Sequence, residues 1–143
     1  MMNRTRLKAM LVRHEGLRLK PYRDTVGKLT IGVGRNLDDC GISNEEAAVL
    51  LDNDITRVWQ ELTKKLPFFG ALSADRQNAL VDMAFNLGLA ALLPPGKAFY
   101  KMLAAMEHAD FEGAAREMLS SAWARQVGDR AGELAGIMLR GEA

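Results

Sequence analysis

Glu15, Asp24 and Thr30 stand nine and then six residues apart in HEGLRLKPYRDTVGKLTIGVG, residues 14–34. Two carboxyl groups on opposite sides of a glycosidic bond can hydrolyse it. One stays protonated and pushes out the leaving oxygen, while the other directs water or attacks directly. Glu15 is placed for the first role, because it falls at the C-terminal end of a predicted helix, where the negative pole of the helix disfavours ionisation. Asp24, in a turn between Arg23 and Lys28, is expected to remain charged. Thr30 carries a hydroxyl that can hold a water beside Asp24. Gly32 and Gly34 leave bare backbone where a bulky ligand can approach. A solvated helix end next to a charged turn remains an alternative reading of the same acids, and threonine is in any case common on strands.

The elements that must position these groups follow from periodicity and punctuation. Leu7, Met10, Leu11 and His14 share one side of a helix over about 3–14, which Gly16 ends. Leu17 and Leu19 then alternate with Arg18 and Lys20. Gly27 marks a turn, and Leu29-Thr30-Ile31 has strand character, so a small antiparallel sheet is expected within about 15–42. Ser43 and Glu46 form a capping-box pattern opening a long helix over about 43–65, with a stripe at Ala47, Leu50, Leu51, Asp54, Ile55, Val58 and Leu62 that is apolar but for Asp54. Ser73 caps a helix through Leu87, which Gly88 stops. Pro94-Pro95-Gly96 precedes a helix at about 97–106. Asp110 begins one to about Leu119, Trp123 lies on a short one, and Asp129 caps a last one to about Leu139. Phe85, Phe99, Met102, Phe111, Met118 and Trp123 have the spacing of a helical core rather than of a cofactor site. The fold class is α+β: a small N-terminal lobe with a short sheet, joined by the long helix to a helical lobe over about 66–143 that also takes in helix 3–14.

A chain of 143 residues with 48% hydrophobic and 26% charged residues has the make-up of a folded domain, and disordered or fibrous classes are excluded. The lone Cys40 rules out an internal disulfide, and without a CxxC there is no thiolate metal site. His14 and His108 lack ligand partners at helical spacing, so no metal and no cofactor are expected. Gly32 and Gly34 do not complete a dinucleotide fingerprint, because Leu37 stands where the third glycine belongs. Net charge is only +1, yet residues 1–35 hold nine Lys or Arg against two acids and residues 36–96 hold four against nine. The basic first quarter suits an anionic polymer such as cell wall. A nucleic-acid role for Arg4, Arg6, Lys8 and Arg13 lacks the interleaved aromatics that single strands require, so no such partner is expected. Those same basic residues leave no apolar run for a signal peptide or a membrane span.

The stretch EGLRLKPYRDTVGKLTIGVG resembles the catalytic segment of the T-even phage-type lysozymes, the endolysins of glycoside hydrolase family 24. That family has a Glu, an Asp nine later and a Thr six after that, followed by a TIGxG strand. Glu15, Asp24 and Thr30-Ile-Gly-Val-Gly34 match each element. More faintly, MAFNLG at 83–88 resembles the family's helix beside the cleft. The segment from Phe99 through DFEGAAREM to Trp123 and Gln126 resembles its C-terminal helices, and Asp129-Arg130-Ala131 its basic turn. The resemblance implies a lysozyme-like fold and a muramidase cleaving the β-1,4 bond between N-acetylmuramic acid and N-acetylglucosamine in peptidoglycan, with inversion. Glu15 is then the acid, and Asp24 with Thr30 positions the water. Gly32 and Asn86 become substrate-binding candidates, and Arg130 a candidate ion-pair partner of Glu15.

The chain departs from the family pattern in three places. Arg35 stands where many members have His, the connection over about 36–42 is shorter than in the prototype, and Glu133 replaces a frequent arginine. A monomer is expected, without stable membrane insertion. It should be held in the host cytoplasm until a holin-like membrane-permeabilising partner gives it access to the wall. A lytic transglycosylase, which needs a single Glu, and a wall-binding module that has lost catalysis are the competing readings.

Overall fold

The computed structural model describes all residues, Met1–Ala143, and the chain divides into two compact units, Met1–Leu50 and Leu51–Ala143. The first opens with α1 (Arg4–Glu15), capped by the Asn3 side chain accepting from the Arg6 N–H and closed at Gly16. Three strands follow, β1 (Arg18–Arg23), β2 (Leu29–Gly32) and β3 (Arg35–Asn36), in the order β1-β2-β3 and antiparallel throughout. Thr30 lies on the central strand, opposite Tyr22 on one side and Asn36 on the other. One turn of helix, α2 (Leu37–Cys40), connects the sheet to α3 (Asn44–Lys65).

Several expectations are met closely. The capping box forms reciprocally, with the Glu46 N–H donating to Ser43 Oγ at 3.1 Å and the Ser43 N–H donating to Glu46 Oε1 at 2.9 Å. Its helix, α3, runs for 22 residues, roughly 33 Å at 1.5 Å per residue. Other features differ. The alternation at Leu17 and Leu19 predicts a half-buried strand, yet both leucines are exposed. The register of β1 shifts between Arg18 and Tyr22, around Pro21, which cannot donate to the ladder. Of the apolar stripe on α3 only Val58 and Leu62 are buried. α1 buries no residue, and by chain position it falls in the first unit.

In the second unit, a 3₁₀ turn (Phe69–Ala71) leads to α4 (Ala74–Leu87), α5 (Leu89–Leu92), α6 (Tyr100–Glu107), α7 (Phe111–Ser120), α8 (Ala122–Val127) and α9 (Asp129–Arg140). Ser73, Asp110 and Ser121 cap α4, α7 and α8 through their side chains. Asp129 is the first residue of α9 rather than its cap, because Gly128 at φ +61° makes the turn. Gly88 stops α4 as expected, but the helical path resumes at once as α5. The Pro-Pro-Gly segment then delays α6 to Tyr100. The core is rich in methionine: Met83, Met102, Met106, Met118 and Met138 are fully buried beside Leu62, Phe69, Leu80 and Leu92, unbranched side chains that fill irregular gaps between helices. Phe99 and Trp123 meet edge to face within it, whereas Phe111 is only partly buried beneath the Arg76 guanidinium and Phe85 is exposed.

Candidate active site

Glu15, Asp24 and Thr30 all belong to the first unit. Glu15 is the last residue of α1 and is exposed. Its carboxyl group lies directly over Gly34, since a methyl placed on that glycine would stand 3.0 Å from both Cδ and Oε2 of Glu15. Gly34 also has φ +68°, a conformation that residues with a side chain adopt only under strain. The second glycine of the TIGVG strand therefore serves two ends: it turns the chain and it makes room for the acid.

Asp24 opens the turn between β1 and β2, and the turn is built around its side chain. Oδ1 accepts from the Val26 N–H at 2.9 Å and the Lys28 N–H at 2.8 Å, while the Asp24 N–H donates to the Lys28 carbonyl at 2.9 Å. Gly27, at φ +85°, closes the loop by donating to the Asp24 carbonyl. Oδ2 takes part in none of these bonds. Thr30 is the one buried polar residue of the molecule, and its hydroxyl donates to the Lys28 carbonyl at 2.9 Å. With its proton committed, that oxygen has only lone pairs to offer a guest. Lys28 thus ties the two groups together through its main chain, and its ammonium is paired with Asp39 at 3.0 Å, which raises its pKa.

Gly32, at φ +70°, lines a mostly apolar hollow of about 950 Å³ shared with Ile31, Val33, Leu37, Ile42 and Val49. A side chain there would meet nothing within 4 Å, so the backbone is open to a ligand. Arg35 borders the same hollow and forms a fork on Glu46, with Nη2 at 2.7 Å from Oε2 and Nη1 at 2.9 Å from Oε1. Nη1 also donates to the Gly41 carbonyl. This pair lowers the Glu46 carboxyl to a pKa of about 2, chiefly through the bond from Arg35 and then that from the Ser43 N–H. The arginine after GVG therefore fastens the end of the sheet to the first turn of α3.

Asn86 and Arg130 lie in the second unit, each with a partner there. The Trp123 indole donates to Asn86 Oδ1 at 2.8 Å. Arg130 Nε is 2.7 Å from Asp82 Oδ1, and its Nη2 reaches the Asp82 carbonyl at 3.4 Å. Arg130 and Asp82 border a hollow of about 410 Å³ together with Trp59, Asn78 and Phe85. Glu133 makes no ion pair. Asp82 precedes Asn86 by one helical turn, but nothing in its spacing marks it as the partner of Arg130. Nothing in the spacing of Lys28 and Asp38 marks them as neighbours of Thr30, and Lys28 reads from sequence only as a charge near Asp24. No three His, Cys, Asp or Glu side chains come together as a metal site, and no helix is long and apolar enough to cross a membrane. Cys40 ends α2 with its side chain exposed.

Residues 12–143 match the phage lysozyme family. The chain belongs to that family. Among its relatives are the pre-baseplate central spike protein Gp5 of Enterobacteria phage T4, 31% identical over 92% of this chain, and an endolysin of Acyrthosiphon pisum secondary endosymbiont phage 1, 29% identical over 94%. A probable T4-type lysozyme 2 of Dictyostelium discoideum is 26% identical over 94%. The chain spans 88% and 94% of the last two but only 27% of the spike protein. The matched region is thus a lysozyme domain, a glycoside hydrolase by class, and its small antiparallel sheet and many helices are those of the α+β lysozyme-like fold.

Proposed function

We propose that the protein is a muramidase that hydrolyses the β-1,4 bond between N-acetylmuramic acid and N-acetylglucosamine of peptidoglycan with inversion, in the manner of a phage endolysin. The observation that carries the reading is the state of commitment of Asp24 and Thr30. Asp24 Oδ1 is filled by two backbone N–H groups, and the Thr30 hydroxyl proton is given to the Lys28 carbonyl. What remains, Asp24 Oδ2 and the Thr30 lone pairs, are two acceptors. A water between them donates a hydrogen bond to each and turns its own lone pair toward the sugar. Glu15 delivers its proton to the departing oxygen as the C–O bond breaks. Asp24 takes the proton that the water loses on attack, and the new hemiacetal has the opposite anomeric configuration. Room for that water requires carboxyl groups roughly 6.5–9.5 Å apart.

The test is clearing of purified peptidoglycan by the wild type beside Glu15→Gln and Asp24→Asn, with the anomeric form of the first product followed by NMR. Loss of clearing in both variants and an inverted product are expected. A product with retained configuration sinks inversion, a 1,6-anhydro product indicates a transglycosylase, and wall binding without clearing by the wild type indicates a binding module. Action at the wall after a membrane-permeabilising partner opens the way is the setting that the endolysin likeness supports. The likeness to a central spike protein favours a second setting, the same hydrolysis within a larger particle. Sedimentation of the protein with phage particles, rather than its recovery free in the lysate, would select it.

A further inference from the structure

We propose that Asp38, with Asp39 beside it, is a positioning residue for the water-directing pair. The inference rests on the reading of Asp24 and Thr30 given above and extends it to a part of the chain with no match in the catalytic stretch. The peptide unit joining Lys28 to Leu29 is the pivot. Its carbonyl accepts from the Asp24 N–H at 2.9 Å and from the Thr30 hydroxyl at 2.9 Å. Its N–H, on the opposite edge of the same plane, donates to Asp38 Oδ2 at 2.7 Å. Because a peptide unit is rigid and planar, a grip on the N–H edge sets the direction of the carbonyl edge. A carboxylate acceptor also gives a shorter and stronger bond than a neutral one, and it polarises the carbonyl across the plane.

The need for Asp38 follows from the shortness of β3. Pairing along β2 ends at Thr30 opposite Asn36, where the chain turns into α2, so Leu29 has no strand partner on that side. The Asp38 carboxylate occupies the place of the missing acceptor. Asp38 is itself steadied by Arg23, whose Nη1 lies 3.6 Å from Oδ2 and donates to the Gly27 carbonyl at 3.2 Å. Asp39 holds the neighbouring residue by its side chain, through Lys28 Nζ at 3.0 Å, and is fixed by the Asn36 amide at 2.9 Å. The single turn of α2 thus places two adjacent carboxylates against the two residues whose peptide orients Asp24 and Thr30.

The test compares kcat and KM on solubilised peptidoglycan fragments for the wild type, Asp38→Ala, Asp38→Asn, Asp24→Asn and the double variant Asp24→Asn/Asp38→Ala. Asp38→Ala should lower kcat by about ten- to a hundredfold, as expected for a displaced reacting group, with KM held within about twofold. Asp38→Asn, whose amide oxygen can still accept from the Leu29 N–H, should recover most of the loss. On the Asp24→Asn background Asp38→Ala should cost much less than in the wild type, because only Thr30 is left to position. An unchanged kcat in Asp38→Ala, a loss confined to KM, an Asn variant as poor as the Ala variant, or losses that multiply in the double variant would each overturn the proposal. Should Asp38→Ala not fold, Asp38→Ser, polar but too short to reach Leu29, stands in for it under the same criteria. If instead Asp24→Asn and Glu15→Gln both retain wild-type rates, it is the underlying assignment of the catalytic pair that fails.

Discussion

Replacing Gly34 by alanine separates the placement of Glu15 from the stability of the sheet. Gly34 sits at φ +68°, and a left-handed conformation costs a residue with a Cβ about 1–2 kcal/mol. For a chain of 143 residues that is a fall in Tm of about 3–7 °C. The added methyl also meets Glu15 Cδ and Oε2 at 3.0 Å, so the carboxyl must retreat by roughly half an ångström to restore ordinary contact. A misplacement of about 1 Å can cost a hundredfold in rate, and half of it predicts a loss in kcat of about tenfold. The control is Gly128→Ala in the second unit, at φ +61° with nothing within 4 Å of the added methyl. It should lose stability to a similar or greater extent while keeping its kcat. Initial rates of peptidoglycan clearing, measured well below both transitions and normalised to folded protein by circular dichroism, decide the matter. A Gly34→Ala enzyme that clears as fast as Gly128→Ala would refute the claim that Gly34 is there to seat Glu15.

Two further outcomes follow from the packing and the charges. Leu80 is fully buried on α4, and Leu80→Ala should destabilise the protein by about 2–5 kcal/mol in denaturant titrations without altering the pH profile of activity. Glu46 has its pKa lowered from 4.5 to about 2 by Arg35, so the stability it contributes is full above about 4.5 and is lost as pH falls toward 2. Glu46→Gln should therefore weaken the protein at neutral pH and flatten the pH dependence of Tm between those values. Because the pair is about 40% exposed, high salt should reduce the difference.

The features legible from sequence are those fixed by bonds between near neighbours. Ser43 with Glu46, Gly16 after α1, Ser73 before α4 and Asp110 before α7 are all caps whose partners lie within four residues, and each is found in place. The placement of Glu15 at a helix end and of Asp24 and Thr30 on one hairpin is legible for the same reason. β3 and α2 escaped notice because two residues of strand and one turn of helix have no periodicity to read. What fixes them is the Arg35 fork on Glu46 and the Asp38 bond to Leu29, contacts of nine to eleven residues' separation that appear only once the sheet has formed. The start of α9 differs by one residue from the sequence expectation because Asp129 has the side chain of a cap, yet Gly128 makes the turn. Phe85 has helical spacing but is exposed, which periodicity cannot distinguish from burial.

The way the first unit is held together has a consequence for how it moves. Every buried apolar side chain lies at position 58 or beyond, and Thr30 is the only buried residue before it. A short sheet without an apolar core is marginal on its own, so residues 1–50 depend on polar bonds: the Asp24 turn, Asp38 on Leu29, Lys28 with Asp39 and Arg35 with Glu46. Those ion pairs involve side chains 40–54% exposed, and such pairs contribute about 0–1 kcal/mol each. Local opening of the sheet should therefore take much less free energy than opening of the methionine-rich helices, so the hairpin that carries Asp24 and Thr30 opens more readily than the helical core. Native-state hydrogen exchange measures this directly. The amides of Thr30 and Ile31 should exchange well before those of Leu80 and Met118, and salt at about 1 M, where screening reaches within about 3 Å, should speed the first pair only. A saturating oligosaccharide that occupies Asp24 and Thr30 should slow them again, by the factor 1 + [L]/Kd that mass action sets. Equal protection in both regions, or a salt effect on the helices as large as on the hairpin, would mean that something other than these polar bonds holds Asp24 and Thr30 in register.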